Sequence, residues 1–357
     1  MRLMEAPGLT EAAGLPRFPL AILPTPLVRA RRLEAALHSP PLWVKRDDLT
    51  GFGFAGNKAR KLELLVADAL RQGCDVLVTG GGPGSNHCRD TAAAAQVAGL
   101  DCELVLYGGA PARPGGVDPQ GWPSELERDR CEGNVAWMRS FGAALRFTGE
   151  ADRGSVDRGI DGVARDLAAA GRRPYAIPRG GATPLGSAAY AEAALELAGQ
   201  LDLAGVRPEV IVVATGSCGT QAGLVAGAAA GGLPWRIVGA AVSRPPEECR
   251  RHVLSLARGC AALLGTAPPQ PAAVEVVDAR GPGHGIPSPE GEEAARIAAA
   301  HEGLLLDATF TAKAMALLIG LIGAPCESPG PGTSAWPSGL SGPAVFVHTG
   351  GMSSARS

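Results

Sequence analysis

Three short stretches carry residues whose types and spacing could do chemistry. In "GFAGNKARKLE", residues 53 to 63, a Gly-Asn-Lys turn runs directly into a helical pattern, placing Lys58 on its first turn and Lys61 three residues on. Backbone N–H groups and the helix dipole favour an anion there, so both lysines could face one ligand. Taken alone, Lys58 reads first as a solvated lysine at a helix start, and the same spacing leaves Arg60 and Lys61 on an amphipathic surface. In "VTGGGPGSNHC", residues 78 to 88, a strand ends in glycines before Ser85, Asn86 and His87. Ser85 or Asn86 can cap the helix, and a turn of this type presents free N–H groups to a carboxylate or phosphate. His87 and Cys88 are adjacent on a helix and do not converge on one ion, so no metal is expected. In "VVATGSCGTQAGLVAG", residues 212 to 227, a buried strand opens into Thr215, Gly216, Ser217, Cys218, Gly219 and Thr220. Glycines with interleaved hydroxyls can wrap a phosphate. The stretch lacks both the Lys-Ser/Thr ending of a nucleoside-triphosphate loop and the G-x-G-x-x-G spacing of a dinucleotide site, which disfavours ATP and NAD.

A phosphate cup without a nucleotide signature, joined to a lysine, points to pyridoxal phosphate, whose aldehyde needs a lysine amine. A nucleotide-binding protein of the Rossmann type could use the same glycine loops, but without a covalent adduct at Lys58.

The elements that must position these residues are legible as short apolar runs at 75–79, 102–107, 144–148, 209–215, 236–242 and 344–349, alternating with helical patterns at 59–73, 183–201 and 219–231. Such alternation predicts α/β architecture, with parallel sheets covered by helices. A chain of 357 residues exceeds what one core usually supports, so two lobes with a cleft are expected. The predicted division is a small α/β domain over 57–165 inserted in a large domain formed by 1–56 and 166–357. Ligands of open parallel sheets bind beyond the carboxyl ends of the strands, which directs attention to the loops after Val78 and Ala214. Gly-, Pro- and Ser-rich stretches at 108–125, 265–271 and 326–343 read as loops.

Composition narrows the partner. Lys plus Arg (33) nearly balances Asp plus Glu (35), which argues against nucleic acid and anionic membrane, and for a small ligand. The eight cysteines include no C-x-x-C pair, so free thiols are expected. Neither a secretory leader nor a membrane span is legible, which makes the cytoplasm the expected location.

With "KRDDLTGFGFAGNKARKLELLVADA", "SNHCRDTAAAA", "IPRGGATPLG", the glycine cup, "LLLDATFTAKAMALLIGLI" and "VFVHTGG" in this order, the chain resembles the aminocyclopropane-carboxylate deaminase and D-cysteine desulfhydrase family over about residues 20 to 350. The resemblance implies a two-lobed fold type II pyridoxal-phosphate enzyme, similar to the tryptophan synthase β subunit, with the cofactor in the interdomain cleft and a homodimeric assembly. It implies that Lys58 bonds the aldehyde, that Lys61 and Thr215 to Thr220 hold the phosphate, and that Asn86 hydrogen-bonds the ring hydroxyl. Ser85 to His87 would receive the substrate carboxylate, Ser85 would take part in the chemistry, and Thr311 would meet the pyridine nitrogen. The implied reaction is α,β-elimination or deamination of a small amino acid to a keto acid and ammonia. β-Replacement, biosynthetic use of an unusual amino acid, and cofactor binding without catalysis are its alternatives. Two positions depart from the family pattern: Phe310 stands where the family carries a tyrosine, and His284 replaces a second one, bringing an imidazole that titrates near neutrality. Both are expected at the substrate.

Overall fold

The computed structural model describes residues 8–54, 56–108, 125–150, 153–323, 336 and 339–351. The sequence loop at 108–125 falls almost wholly outside them and 326–343 does so in part, whereas 265–271 is a loop between a helix and a strand.

Among the described residues there are ten strands: β1 Leu27–Arg29, β2 Leu42–Lys45, β3 Val76–Gly81, β4 Asp101–Leu106, β5 Ala144–Phe147, β6 Pro174–Ala176, β7 Val210–Thr215, β8 Ile237–Ala241, β9 Glu275–Asp278 and β10 Ala344–Val347. Eleven helices accompany them: α1 Leu9–Ala12, α2 Arg31–Leu37, α3 Asn57–Arg71, α4 Asn86–Ala98, α5 Glu125–Ser140, α6 Arg153–Ala169, α7 Pro184–Ala204, α8 Gly219–Ala230, α9 Pro246–Leu264, α10 Pro289–Glu302 and α11 Thr311–Ile322. All six apolar runs are strands. The four strands that periodicity missed, β1, β2, β6 and β9, are three or four residues long, so they carry little apolar signal.

The strands form two sheets. One runs β1-β2-β10-β7-β8-β9, parallel throughout except for the β1–β2 pair, with Val347 opposite both Lys45 and Val213. The other runs β5-β4-β3-β6 and is entirely parallel. Its last strand, β6, follows Arg165 in the chain.

Close helix packing lets the large lobe bury its glycine- and alanine-rich helices. A side chain at Gly223 would stand 2.2 Å from the Ser187 carbonyl oxygen, and one at Gly227 would stand 2.3 Å from that of Ala191. Glycine one turn apart on α8 therefore lets α7 approach at backbone distance, and α8 is apolar all round because it is covered all round.

The solvated reading of Arg60 and Lys61 fails here. Helix α3 packs between α7 and the N-terminal segment, and Arg60 is 2% exposed. Its guanidinium donates to both Asp47 oxygens (2.9 and 3.1 Å), to both Glu196 oxygens (2.8 and 2.9 Å) and to Thr25 Oγ1 (3.0 Å). Tyr190 also donates to Asp47, and Lys45 to Glu196. A charge pattern that suits solvent is here a buried ion network tying α3, α7 and the segment before β1 together.

Candidate active site

A cavity of about 160 Å³ lies between the two sheets, walled by the loops that follow β3, β4, β7, β8 and β10 at their carboxyl ends. The loops predicted after Val78 and Ala214 both reach it.

Lys58 is half-buried in the wall, its Nζ donating to Asn57 Oδ1 at 2.7 Å. Asn57 in turn donates to Thr220 Oγ1 at 2.9 Å, so the lysine is coupled to the start of α8. Burial pulls the Lys58 ammonium down to about 8; the carboxylates of Asp90 and Asp307 oppose that fall and Arg89 adds to it. The turn before α3 is pinned from both sides. Gly56 adopts φ 121°, its N–H donates to Thr50 Oγ1 at 2.8 Å, and the Asn57 N–H donates to the Thr349 carbonyl at 3.0 Å.

The α4 turn forms a second wall. Ser85 is the N-cap, accepting from the Cys88 N–H at 3.2 Å, and it faces the cavity as well. Asn86 Oδ1 accepts from Arg89 Nη1 (3.2 Å) and Asn134 Nδ2 (3.3 Å). That pairing orients the amide and leaves Nδ2 without a partner among the described residues, available as a donor into the cavity. His87 is 2% exposed. Its Nε2 lies 3.1 Å from Thr79 Oγ1, whose own proton goes to the Ile177 carbonyl at 2.7 Å. Nε2 must therefore donate, and Nδ1 is an unpartnered acceptor at the cavity wall. Burial, with Lys58 and Lys61 nearby, keeps the ring neutral.

The third wall is the Gly216–Thr220 turn. Cys218, the N-cap residue, sits at φ 73° and gives no side-chain cap, so the first N–H groups of α8 are open to an anion. Gly216, Ser217, Cys218 and Thr220 line the cavity. Behind them, a side chain at Gly219 would meet Lys61 Nζ at 3.0 Å and Ser187 Oγ at 3.4 Å, and that Ser187 hydroxyl is buried without a partner. Lys61 Nζ reaches the Gly180 carbonyl at 3.3 Å, and burial, reinforced by Lys58, drives its pKa well below 10.5. An anion at this turn would draw the proton back.

Two predicted donors are turned away. Thr215 is 1% exposed and gives its hydroxyl to Gln221 Oε1 at 2.9 Å, so it holds α8 to β7 instead of facing a ligand. Thr311 is fully buried on α11 and donates to Asp307 Oδ1 at 2.7 Å, outside the cavity wall. Asp307 also accepts the N–H groups of Thr309, Phe310 and Thr311. It thereby winds the "DATFT" turn so that Phe310 points into the cavity, with its ring 5.8 Å from that of His284 in an edge-on arrangement. Lys313 Nζ holds the His284 loop through the carbonyls of Arg280 and Gly283, both at 2.7 Å.

Sequence reading missed Asn57, Thr349 and Gly350, although "VFVHTGG" was a visible motif, and it missed Tyr107, Arg153, Arg179 and Arg244. The arginines belong to three separate segments, and only the fold brings them to one cavity.

A lysine amine, an uncapped helix N-terminus, an oriented amide and two orphaned polar atoms fit a phosphorylated aldehyde. The family model for pyridoxal-phosphate dependent enzymes matches residues 19–328, and this chain belongs to that family. Pyridoxal phosphate is therefore its cofactor. D-cysteine desulfhydrases from Salmonella paratyphi B and Salmonella choleraesuis are 37% identical to it over 346 and 347 residues, covering 96% of this chain and 96% of each relative. A crystal structure described as an ACC deaminase homologue superposes with a TM-score of 0.82 at 32% identity, over 98% of this chain and 96% of that one. A fungal L-serine ammonia-lyase from Rhizomucor miehei shares the fold, with a TM-score of 0.61 at 16% identity over 94% of this chain and 95% of that one. No helix among the described residues is long and apolar enough to cross a membrane.

Proposed function

We propose that this enzyme is a lyase that carries out α,β-elimination or deamination of a small amino acid, yielding a keto acid and ammonia. The observation that carries the reading is Lys58, an amine with its pKa lowered to about 8, facing the uncapped start of α8 and the Ser85–His87 turn across one cavity. Bound pyridoxal phosphate supplies an electron sink conjugated to the substrate's α-carbon. With the cofactor bound, Lys58 would hold its aldehyde and would take and return the proton at the substrate's Cα. Gly216, Ser217, Cys218 and Thr220 receive the phosphate, with Lys61 and Gly219 behind them. Asn86 Nδ2 donates to the ring hydroxyl, and the N-terminal turn of α4 receives the α-carboxylate. Ser85 and His284 handle protons at the far side of the substrate, and Phe310 excludes water there. D-Cysteine, named in the relatives, is the first substrate to try, and aminocyclopropane carboxylate the second.

The purified protein should show a visible absorbance band that borohydride and Lys58→Ala abolish, and it should release pyruvate from D-cysteine or ketobutyrate from aminocyclopropane carboxylate. No band after adding pyridoxal phosphate to the folded protein would refute the anchoring role, and a band without keto acid from any β-substituted alanine would refute the lyase.

We also propose a small domain close to 57–165, a homodimer and a cytoplasmic location. The six described cysteines are free thiols, which suits a reducing compartment. The exposed Trp137, packed on Phe54 and Phe141, offers an aromatic patch for a second copy. Sedimentation of wild type against Trp137→Glu tests the dimer.

A further inference from the structure

We infer that the substrate's β-substituent is itself an anion, a sulfonate, sulfate ester or phosphate ester, received by Arg153 with Arg179 and Arg244 around it. The inference rests on the lyase reading above. Three guanidinium groups from α6, the turn before α7 and the loop before α9 line the one cavity. Arg179 is held by Asp157 at 2.7 Å through two nitrogens, and Arg244 by Glu248 at 2.9 Å and by the Gly216 carbonyl at 2.9 Å. Arg153 is half-buried, and Tyr107 and Glu248 act on it electrostatically, without a hydrogen bond or ion pair to any other described residue. Three positive charges thus face two carboxylates, and those carboxylates, 52% and 49% exposed, are weakly coupled through solvent. Half-buried His252 adds no charge, since burial and the same two arginines favour its neutral ring.

The other anions of the reaction do not need this cluster. The substrate's α-carboxylate has the N-terminal turn of α4, and the cofactor's phosphate has that of α8. A neutral thiol in the remaining space would leave a desolvated guanidinium unpaired, whereas a tetrahedral oxyanion offers several oxygens to donors of this geometry. Such groups also leave well. The Cα–H bond breaks with its proton going to Lys58, the Cβ–X bond breaks with its electron pair going to X, and Cα=Cβ forms. X departs as sulfite, sulfate or phosphate, and water hydrolyses the released enamine, through its imine, to pyruvate and ammonia.

The test uses the holoenzyme and both enantiomers of cysteate, O-phosphoserine, uncharged β-chloroalanine and cationic 2,3-diaminopropionate, read by the shift of the visible band on binding and by pyruvate formed. One anionic compound should bind at least about 10-fold more tightly than β-chloroalanine. Arg153→Gln should cut that preference by about 10- to 100-fold, the loss expected for a charged hydrogen bond. Arg153→Lys should restore part of it, and Arg153→Glu should shift preference towards 2,3-diaminopropionate. Equal binding of charged and neutral analogues, or equal effects of Arg153→Gln on all of them, would overturn the inference. So would loss of the visible band in Arg153→Gln at saturating pyridoxal phosphate, which would assign the arginine to the cofactor. Anionic binding that Arg153→Gln abolishes, without keto acid, would leave the anion site standing and sink the lyase. A wild type with no visible band sinks both.

Discussion

Lys58 in the apoprotein should behave as an amine of pKa about 8, where an ordinary lysine has 10.5. The physical cause is burial, which removes water from the ammonium more effectively than Asp90 and Asp307 stabilise it. At pH 7 such an amine is about 9% neutral, against about 0.03% for an unperturbed lysine, a gain of about 300-fold in the form that attacks an aldehyde. The assay is stopped-flow growth of the visible band when apoprotein meets pyridoxal phosphate between pH 6 and 10.5. Its rate should rise through a midpoint near 8, and Asp90→Asn, which removes a carboxylate favouring the ammonium, should lower that midpoint. The same shift has a stability consequence of defined sign. Folded Lys58 releases its proton near pH 8 while the unfolded chain holds it to 10.5, so between these values the unfolded state binds more protons and stability rises with pH. The destabilisation is whole below pH 8 and gone above 10.5. Apoprotein Lys58→Met should therefore be more stable than wild type at pH 7, by about 1–2 kcal/mol once solvent at the cavity mouth is discounted, and should lose that advantage at pH 10.5. A rate that climbs without inflection to pH 10.5, or a Lys58→Met apoprotein no more stable at pH 7, would refute the reasoning.

Further expectations concern the frame. Arg60→Met strands Asp47 and Glu196 in a buried site and should cost about 3–5 kcal/mol in urea unfolding, more than Asp47→Asn paired with Arg60→Met in one chain. Burial alone would raise the Asp47 carboxyl, but Arg60, with hydrogen bonds from Thr25 and Tyr190, holds it below 3.8. The stability it confers is present at neutral pH and disappears as pH falls through that lowered value, so wild type should lose stability below pH 4 more steeply than Asp47→Asn/Arg60→Met. Gly223→Ala drives a methyl into the Ser187 carbonyl at 2.2 Å and should destabilise by about 1–3 kcal/mol, whereas Ala at solvent-facing Gly162, with nothing within 4 Å, should not, as thermal unfolding would register. Lys313→Met frees the loop bearing His284 and should lower kcat while the visible band remains. If kcat is unchanged, the loop does not depend on this lysine.

Much of the fold was legible because it rests on short-range pattern. β7 is "VIVVAT", buried at every position, and only a parallel strand covered on both faces needs that run. The α4 cap at Ser85 and the glycine turn before α8 follow from local backbone chemistry, which neighbouring residues dictate. The short strands β1, β2, β6 and β9 were not legible, since three or four residues hold too little apolar area to stand out.

For the site, the residue types pointed to the cofactor class: a lysine at a helix start, a Ser-Asn-His turn and a glycine cup admit a phosphorylated aldehyde and disfavour a nucleotide triphosphate. Which hydroxyls and cations face it was decided only in three dimensions. Thr215 and Thr311 look like donors in the sequence, but Gln221 and Asp307 take their protons. Arg60 looks solvated until α7 brings Glu196 over it. Arg153 and Arg244 belong to no motif, and Arg179 lies in "IPRGGATPLG" with nothing there to mark it, because a charge that serves a ligand is placed by the distance between helices, and helical spacing along one chain carries no record of that distance.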